Sequence, residues 1–142
     1  MVSVRQLLSR KGAEVWSIDA EEPVLEAIQM MADRRVGALP VTRNGELVGV
    51  VSERDYARKV ILLGRSSAET PVWQIMSSPV ITVTPAEDAR KCMQLMTEKR
   101  IRHLPVVDGG RMIGVISIGD LVRAVIEDQE QTIEQLERFI AG

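Results

Sequence analysis

Two short turns carry residue types that could do chemistry: Ser52-Glu53-Arg54-Asp55 and Ser117-Ile118-Gly119-Asp120. Each closes an apolar run, opened by Gly49-Val50 or Gly114-Val115, of the kind a buried strand needs. A serine in this place can cap a helix, and an aspartate three residues on can reach back to the serine amide. The same geometry suits a ligand. A helix start offers free amides and a positive dipole end to a phosphate, and the hydroxyl adds a donor. A carboxylate one turn in can accept from two vicinal ribose hydroxyls. Cap and ligand site are compatible, and the turns alone leave both open.

The elements that must position these turns repeat. Val15–Ile61 laid on Val80–Ile126 matches at about a third of its positions, without a gap, at an offset of 65. Leu39-Pro40-Val41 falls on Leu104-Pro105-Val106, Gly45 on Gly110, Ser52 on Ser117 and Asp55 on Asp120. The helical stripe Val24, Ala27, Ile28 and Met31 answers Ala89, Cys92, Met93 and Met96. In the first copy the pattern predicts a strand at Val15–Ile18 and a helix from Pro23, in its first turn, to about Arg35. A hairpin of Ala38–Thr42 and Glu46–Ser52 turns at Asn44-Gly45, and a helix follows over Glu53–Leu63. The second copy predicts a strand at Val80–Val83, a helix over Ala86–Lys99, a hairpin at Gly109-Gly110 and a helix from Asp120. That last helix continues as a heptad-like apolar stripe, from Val122 through Ile133 and Leu136 to Ile140, able to cover its own domain or a partner helix. Val2–Arg10 reads as a short amphipathic helix ending at Gly12, and Val72–Met76 as a helical turn. The expected organisation is an N-terminal segment (1–14), copy one (15–63), a linker (64–79), copy two (80–127) and a C-terminal helical extension (128–142). The fold class is mixed α/β (α+β), two copies packed on a pseudo-twofold.

Each copy is small enough that a lone core would be marginal, so the two are expected to fold together. A hydrophobic content of 45% with only 3% aromatics predicts a core of Val, Ile, Leu and Met. A net charge of −2 gives no support to nucleic-acid binding through bulk charge. One cysteine permits no internal disulfide and suits a reducing compartment, and no apolar run approaches a spanning helix. The expectation is a soluble cytoplasmic chain with neither membrane nor nucleic acid as partner. Cys92 lies on an apolar helical stripe, as a small buried hydrophobe would. One His and one Cys make no metal cluster and no nucleophilic triad, and no Walker loop or dinucleotide fingerprint is present. Trp16 and Trp73 are expected to pack against the protein.

With the Leu-Pro-Val strands and the Gly-h-h-Ser-x-x-Asp turn in both copies, the chain resembles a tandem pair of cystathionine β-synthase (CBS) domains. The resemblance covers about Val15–Glu127 in βαββα order. Glu53-Arg54-Asp55-Tyr56, Gly64-Arg65-Ser66-Ser67 and Arg100-Ile101-Arg102-His103 are similar to short stand-alone bacterial and plant-organellar members. It implies that the serine and aspartate of each turn bind the phosphate and ribose of an adenosine nucleotide, while the other copy supplies its first strand and the start of its second. That assigns a main cleft to Ser52, Arg54, Asp55, Thr82, Thr84, Ile101, Arg102 and His103, with Arg102 and His103 on phosphates. A solvated helix end is the other reading of the Lys99–His103 run. The second cleft takes Ser17, Asp19, Val36, Gly37, Ala38, Ser117 and Asp120. Gly37 and Ala38 stand where Arg102 and His103 stand in copy two, so this cleft lacks a phosphate clamp, and Asp19 would repel an anion.

The expected function is a non-catalytic regulatory sensor of AMP, ADP, ATP or an NAD-like dinucleotide, with no catalytic cofactor, whose state a partner protein reads. The alternative is a ligand-free interaction or dimerisation scaffold whose turns are only caps. An enzyme would need a second catalytic group that the pattern does not supply. A homodimer is expected, joined through Ile28, Met31, Met93 and Met96 or their neighbours and extended by the C-terminal stripe.

Overall fold

The computed structural model describes residues 2–12 and 14–141; Met1 and Ala13, in the expected N-terminal segment, and Gly142, at the end of the C-terminal extension, lie outside the described residues. The chain divides into two compact units, Trp16–Ile81 on one hand and Met1–Val15 with Thr82–Gly142 on the other. The elements are α1 (Val4–Lys11), β1 (Ile18–Asp19), α2 (Val24–Arg34), β2 (Ala38–Arg43), β3 (Glu46–Ser52), α3 (Glu53–Tyr56), α4 (Ala89–Lys99), β4 (His103–Asp108), β5 (Arg111–Ser117) and α5 (Ile118–Ala141). A π turn over Ala57–Ile61 continues α3, and Val72–Gln74 forms a 3-10 turn.

In the 16–81 unit, β1, β2 and β3 form one sheet, β1 parallel to β2 and β2 antiparallel to β3. The hairpin turns at Asn44 and Gly45, both at positive φ, as an Asn-Gly turn demands. Val24, Ala27 and Met31 put one face of α2 into a core with Leu39, Val41, Val51 and Val60. Burying each of these valine, leucine and methionine side chains contributes roughly 1.5–3 kcal/mol. Pro23 is the residue before α2, in extended conformation (φ −63, ψ 146), and not within its first turn as expected. Trp16 packs on this core and carries the Arg34 guanidinium 3.6 Å over its ring, whereas Trp73 is exposed.

The other unit repeats the plan with one loss. Strands β4 and β5 pair antiparallel, with a register shift at Val106/Val107 matching the one at Val41/Thr42. The strand expected at Val80–Val83 is reduced to a single parallel bridge, Val83 to Val106, and the one expected at Val15–Ile18 to Ile18–Asp19. The difference between the copies has a covalent cause. The Ala20 amide donates to the Thr42 carbonyl (2.8 Å), but the position 65 residues on is Pro85, which has no N–H to donate. Helix α4 starts at Ala89, later than expected, because the Asp88 carboxylate caps it by accepting from the Arg90 amide (2.7 Å). Both α2 and α4 stop on an arginine in the left-handed region, Arg35 (φ 56) and Arg100 (φ 55), where glycine is the usual choice.

Each hairpin is covered by a segment from outside its own copy. Over β5 lies α1, with Val4 and Leu7 buried, held by the Val4 and Arg5 amides on the Glu87 and Pro85 carbonyls (2.8 and 2.9 Å). A Cβ on Gly114 would fall 2.6 Å from Leu8 Cδ2, so glycine there admits the helix. Over β3 lies the stretch after Val72. Ser77 bridges Val50, and a Cβ on Gly49 would meet Met76 Sδ at 2.7 Å and the Ser77 carbonyl at 2.9 Å. The last helix, α5, buries Leu121 and Ala124 and then leaves the core; Ile126, Ile133, Leu136, Phe139 and Ile140 are exposed. Of the apolar residues expected at a dimer seam, Met31 and Met96 are instead core residues, because each faces inward at the end of its helical stripe; Ile28 and Met93 are half-buried.

Candidate functional site

Both Ser-x-x-Asp turns form reciprocal caps. The Asp55 amide donates to Ser52 Oγ (3.1 Å), and Asp55 Oδ2 accepts from the Ser52 amide and hydroxyl, each at 3.0 Å. The Asp120 amide donates to Ser117 Oγ (3.1 Å), and Asp120 Oδ2 accepts from the Ser117 amide (2.9 Å). Strand pairing sets each turn beside the start of its own copy's second strand. Ser52 pairs with Ala38, and the Glu53 amide donates to the Gly37 carbonyl (3.0 Å). Ser117 pairs with His103, and the Ile118 amide donates to the Arg102 carbonyl (2.9 Å).

Two lysines that sequence reasoning missed complete the turns. Lys59 Nζ lies 3.1 Å from Asp55 Oδ1 and donates to the Ile75 carbonyl (2.9 Å). Lys11 Nζ, from α1, donates to Asp120 Oδ2 (2.6 Å) and to the Val115 carbonyl (2.7 Å). The i,i+4 spacing of Asp55 and Lys59 was a usable signal. Lys11 is 109 residues from Asp120, with no local pattern to connect them. Burial pushes the Asp120 carboxyl pKa up, but the Lys11 ammonium and the Ser117 amide and hydroxyl outweigh it and hold it below the usual value.

The remaining predicted residues divide between the units. With Ser52 and Asp55 in the 16–81 unit are Arg54 (half-buried), Ser17 and Asp19 (exposed), Val36 and Gly37 (half-buried) and Ala38 (buried). Asp19 Oδ1 accepts from the Glu21 amide (2.9 Å), which fixes the turn after β1. With Ser117 and Asp120 in the other unit are Thr82 and Thr84, exposed on either side of buried Val83, then half-buried Ile101, exposed Arg102 and half-buried His103. Each predicted cleft therefore draws residues from both units. Cys92 is buried, and burial pushes its thiol pKa up to about 11, with Glu87 and Asp88 adding to the effect. Among the described residues no group of acidic, His or Cys side chains could hold a metal ion, and no helix is long and apolar enough to cross a membrane.

A duplicated α/β chain, with two small sheets and one reciprocally capped Ser-x-x-Asp turn per copy, is the class these features define. The CBS domain family model matches residues 4–61 and again 72–127. The CBS domain-containing protein CBSX3, mitochondrial, of Arabidopsis thaliana is 43% identical over 139 residues, covering 94% of this chain and 67% of its own. A solved protein with CBS domains from Burkholderia ambifaria MC40-6 is 47% identical with a TM-score of 0.86, over 90% of this chain and 96% of its own. The CBS domain pair of protein MJ0100, solved in complex with 5′-methylthioadenosine and S-adenosyl-L-methionine, shares the fold at 22% identity, with a TM-score of 0.79 over 90% of this chain and 98% of its own. The chain belongs to the CBS-domain family and carries two CBS domains in tandem.

Proposed function

We propose that this chain is a regulatory sensor of adenosine-containing ligands, AMP, ADP, ATP or an NAD-like dinucleotide, that works without catalysis by altering how a partner protein is engaged. The observation that carries the reading is the reciprocal Ser-x-x-Asp turn, built twice and each time backed by an ammonium. Its carboxylate is held in place and able to accept from ribose hydroxyls, beside a helix start that favours phosphate. The methylthioadenosine and S-adenosylmethionine bound by the MJ0100 pair support adenosine as the common ligand element. Ser52, Arg54 and Asp55 with Thr82, Thr84, Ile101, Arg102 and His103 form the main site of the proposal. Arg102 and His103 supply the phosphate contacts that Gly37 and Ala38 cannot. The location proposed is cytoplasmic.

Thermal denaturation of the full chain with a panel of adenosine compounds tests the reading. The expected result is a rise in melting temperature with AMP, ADP or ATP, strongly reduced by Asp55→Asn; no shift with any of them overturns it.

A second reading is favoured by α5, whose outer half exposes Ile133, Leu136, Phe139 and Ile140 along one helix. Such a face suits a helical partner, a second copy being the simplest, and a homodimer is part of the proposal. Light scattering at micromolar concentration is expected to give the dimer mass, and a monomer would remove that part.

A further inference from the structure

The two carboxylates are held by cations of different origin, and the difference matters for anything that binds there. Lys59 sits on the same helical stretch as Asp55, so moving its ammonium aside is a side-chain rotation that also gives up its bond to the Ile75 carbonyl (2.9 Å). Lys11 is the last residue of a different helix, anchored twice, on Asp120 Oδ2 at 2.6 Å and on the Val115 carbonyl at 2.7 Å. Gly12 follows it at φ 99, a conformation that stops α1 there. The rest of α1 has its own attachments: Leu8 against Gly114, the Val4 and Arg5 amides, and Arg10 on Glu127 at 3.3 Å. Release of Lys11 would therefore leave the end of α1 held only by the exposed Arg10–Glu127 pair, with its start in place.

We propose that Lys11 is an internal occupant of the second turn, so that ligand on Asp120 and the seated end of α1 exclude one another. Rested on the reading that these carboxylates accept from ligand hydroxyls, this makes the second turn the part of the protein in which binding is converted into movement. A ribose diol that spans both carboxylate oxygens must take Asp120 Oδ2, which already accepts from the Ser117 amide and the Lys11 ammonium, and so must displace an ammonium held by a short charge-assisted bond. The energy of that displacement appears as weaker ligand affinity and as a freed helix end. In the first turn the lysine and the aspartate share one helical stretch, and ligand exchange there frees the Ile75 carbonyl of its lysine donor but releases no helix end.

The test uses the full chain, AMP as the probe, and amide hydrogen exchange over residues 4–12 beside calorimetric titration. In the Asp55→Asn background, which leaves only the second turn, Lys11→Met is expected to tighten AMP binding by about tenfold, equivalent to ~1.4 kcal/mol. It is also expected to raise exchange at the end of α1 without ligand. Saturating AMP should produce the same rise in the protein that keeps Lys11, and Lys11→Arg, which keeps a cation, should restore protection. AMP binding through Asp55 with no Asp120-dependent component in Lys11→Met overturns this inference and leaves the proposed function standing. So does unchanged protection of α1 when Asp120 is saturated. If AMP binds neither the wild type nor any variant, the proposed function falls, and the inference falls with it.

Discussion

Asp55 and Asp120 occupy the same place in the two copies, share the same cap and each meet a lysine, yet the lysines come from unrelated positions. Lys59 corresponds at the 65-residue offset to Ala124, and Lys11 to Met76. Neither lysine was inherited with the repeat. The common requirement is set by the turn: a half-buried carboxylate already satisfied on one side by an amide still gains from a cation. What differs is the coupling. One lysine lies on the carboxylate's own helical stretch and also reaches the Ile75 carbonyl, while the other comes from a helix 109 residues away. The strand starts differ as well, Gly37 and Ala38 against Arg102 and His103, so the copies share a scaffold and diverge in charge.

The scaffold half of that comparison is tested by the largest effects. Leu39 and Leu104 are both fully buried within the repeated Leu-Pro-Val strands. Leu39→Ala and Leu104→Ala should each destabilise by about 2–5 kcal/mol. Urea unfolding should show similar losses; a large loss in one copy alone would break the structural equivalence.

The divergent half is tested by Asp55→Ala against Asp120→Ala. Both remove a cap and should lower stability by ~1 kcal/mol each. Only Asp55→Ala should weaken nucleotide binding strongly, by roughly ten- to a hundredfold, since a hydrogen bond to a charged group is worth ~1.5–3 kcal/mol. Affinity at this site should also rise with phosphate count and fall with salt, if Arg102 and His103 meet the phosphates. Equal and negligible affinity changes in calorimetry would reduce both turns to caps.

Much of this was legible in the sequence because the repeat doubles every local signal. The two hairpins, both long helices, the caps at Ser52 and Ser117 and the family itself follow from residues within about ten positions of each other. The failures are non-local or come from one atom. The missing strand near Val83 turns on Pro85 lacking an N–H opposite its partner carbonyl. Helix α3 gives way to a π turn at Ala57, for which the apolar pattern has no signature. The exchange of covering segments, α1 onto β5 and the stretch after Val72 onto β3, is invisible to periodicity. In the sequence the glycines that admit them, Gly49 and Gly114, mark only the start of a motif. Lys11 was hidden for the same reason.

Those two glycines sharpen the comparison on a smaller scale. An added methyl at Gly49 meets the Ser77 carbonyl at 2.9 Å, and that backbone is fixed by its bridge to Val50. One at Gly114 meets only the tip of the Leu8 side chain, which can rotate away. Gly49→Ala should therefore destabilise by about 1–3 kcal/mol and Gly114→Ala by less than about 1 kcal/mol. Thermal melts that reverse this order would mean that α1 sits more rigidly than the segment after Val72.

The smallest effect concerns the lysine from α1 and is read by pH. The Asp120 pKa lies below its ordinary value despite burial, because Lys11 and the Ser117 amide and hydroxyl favour the anion. A lowered folded-state pKa stabilises the protein at pH values above the unfolded value, ~3.9, and that contribution is lost as pH falls from there through the folded value. Asp120→Asn removes the titration, and Lys11→Met removes much of what lowers it. Both variants should show a shallower fall in melting temperature between pH 5 and pH 2 than the wild type, on the order of a few degrees. The effect is modest, because Lys11 is 39% exposed and solvent screens the pair. At pH 7 the wild type should melt higher than either variant, and toward pH 2 the three curves should converge. Curves that stay parallel across the acid range would show that Lys11 contributes nothing to holding Asp120 as an anion, and the contrast between a local and a distant cation would lose its energetic content.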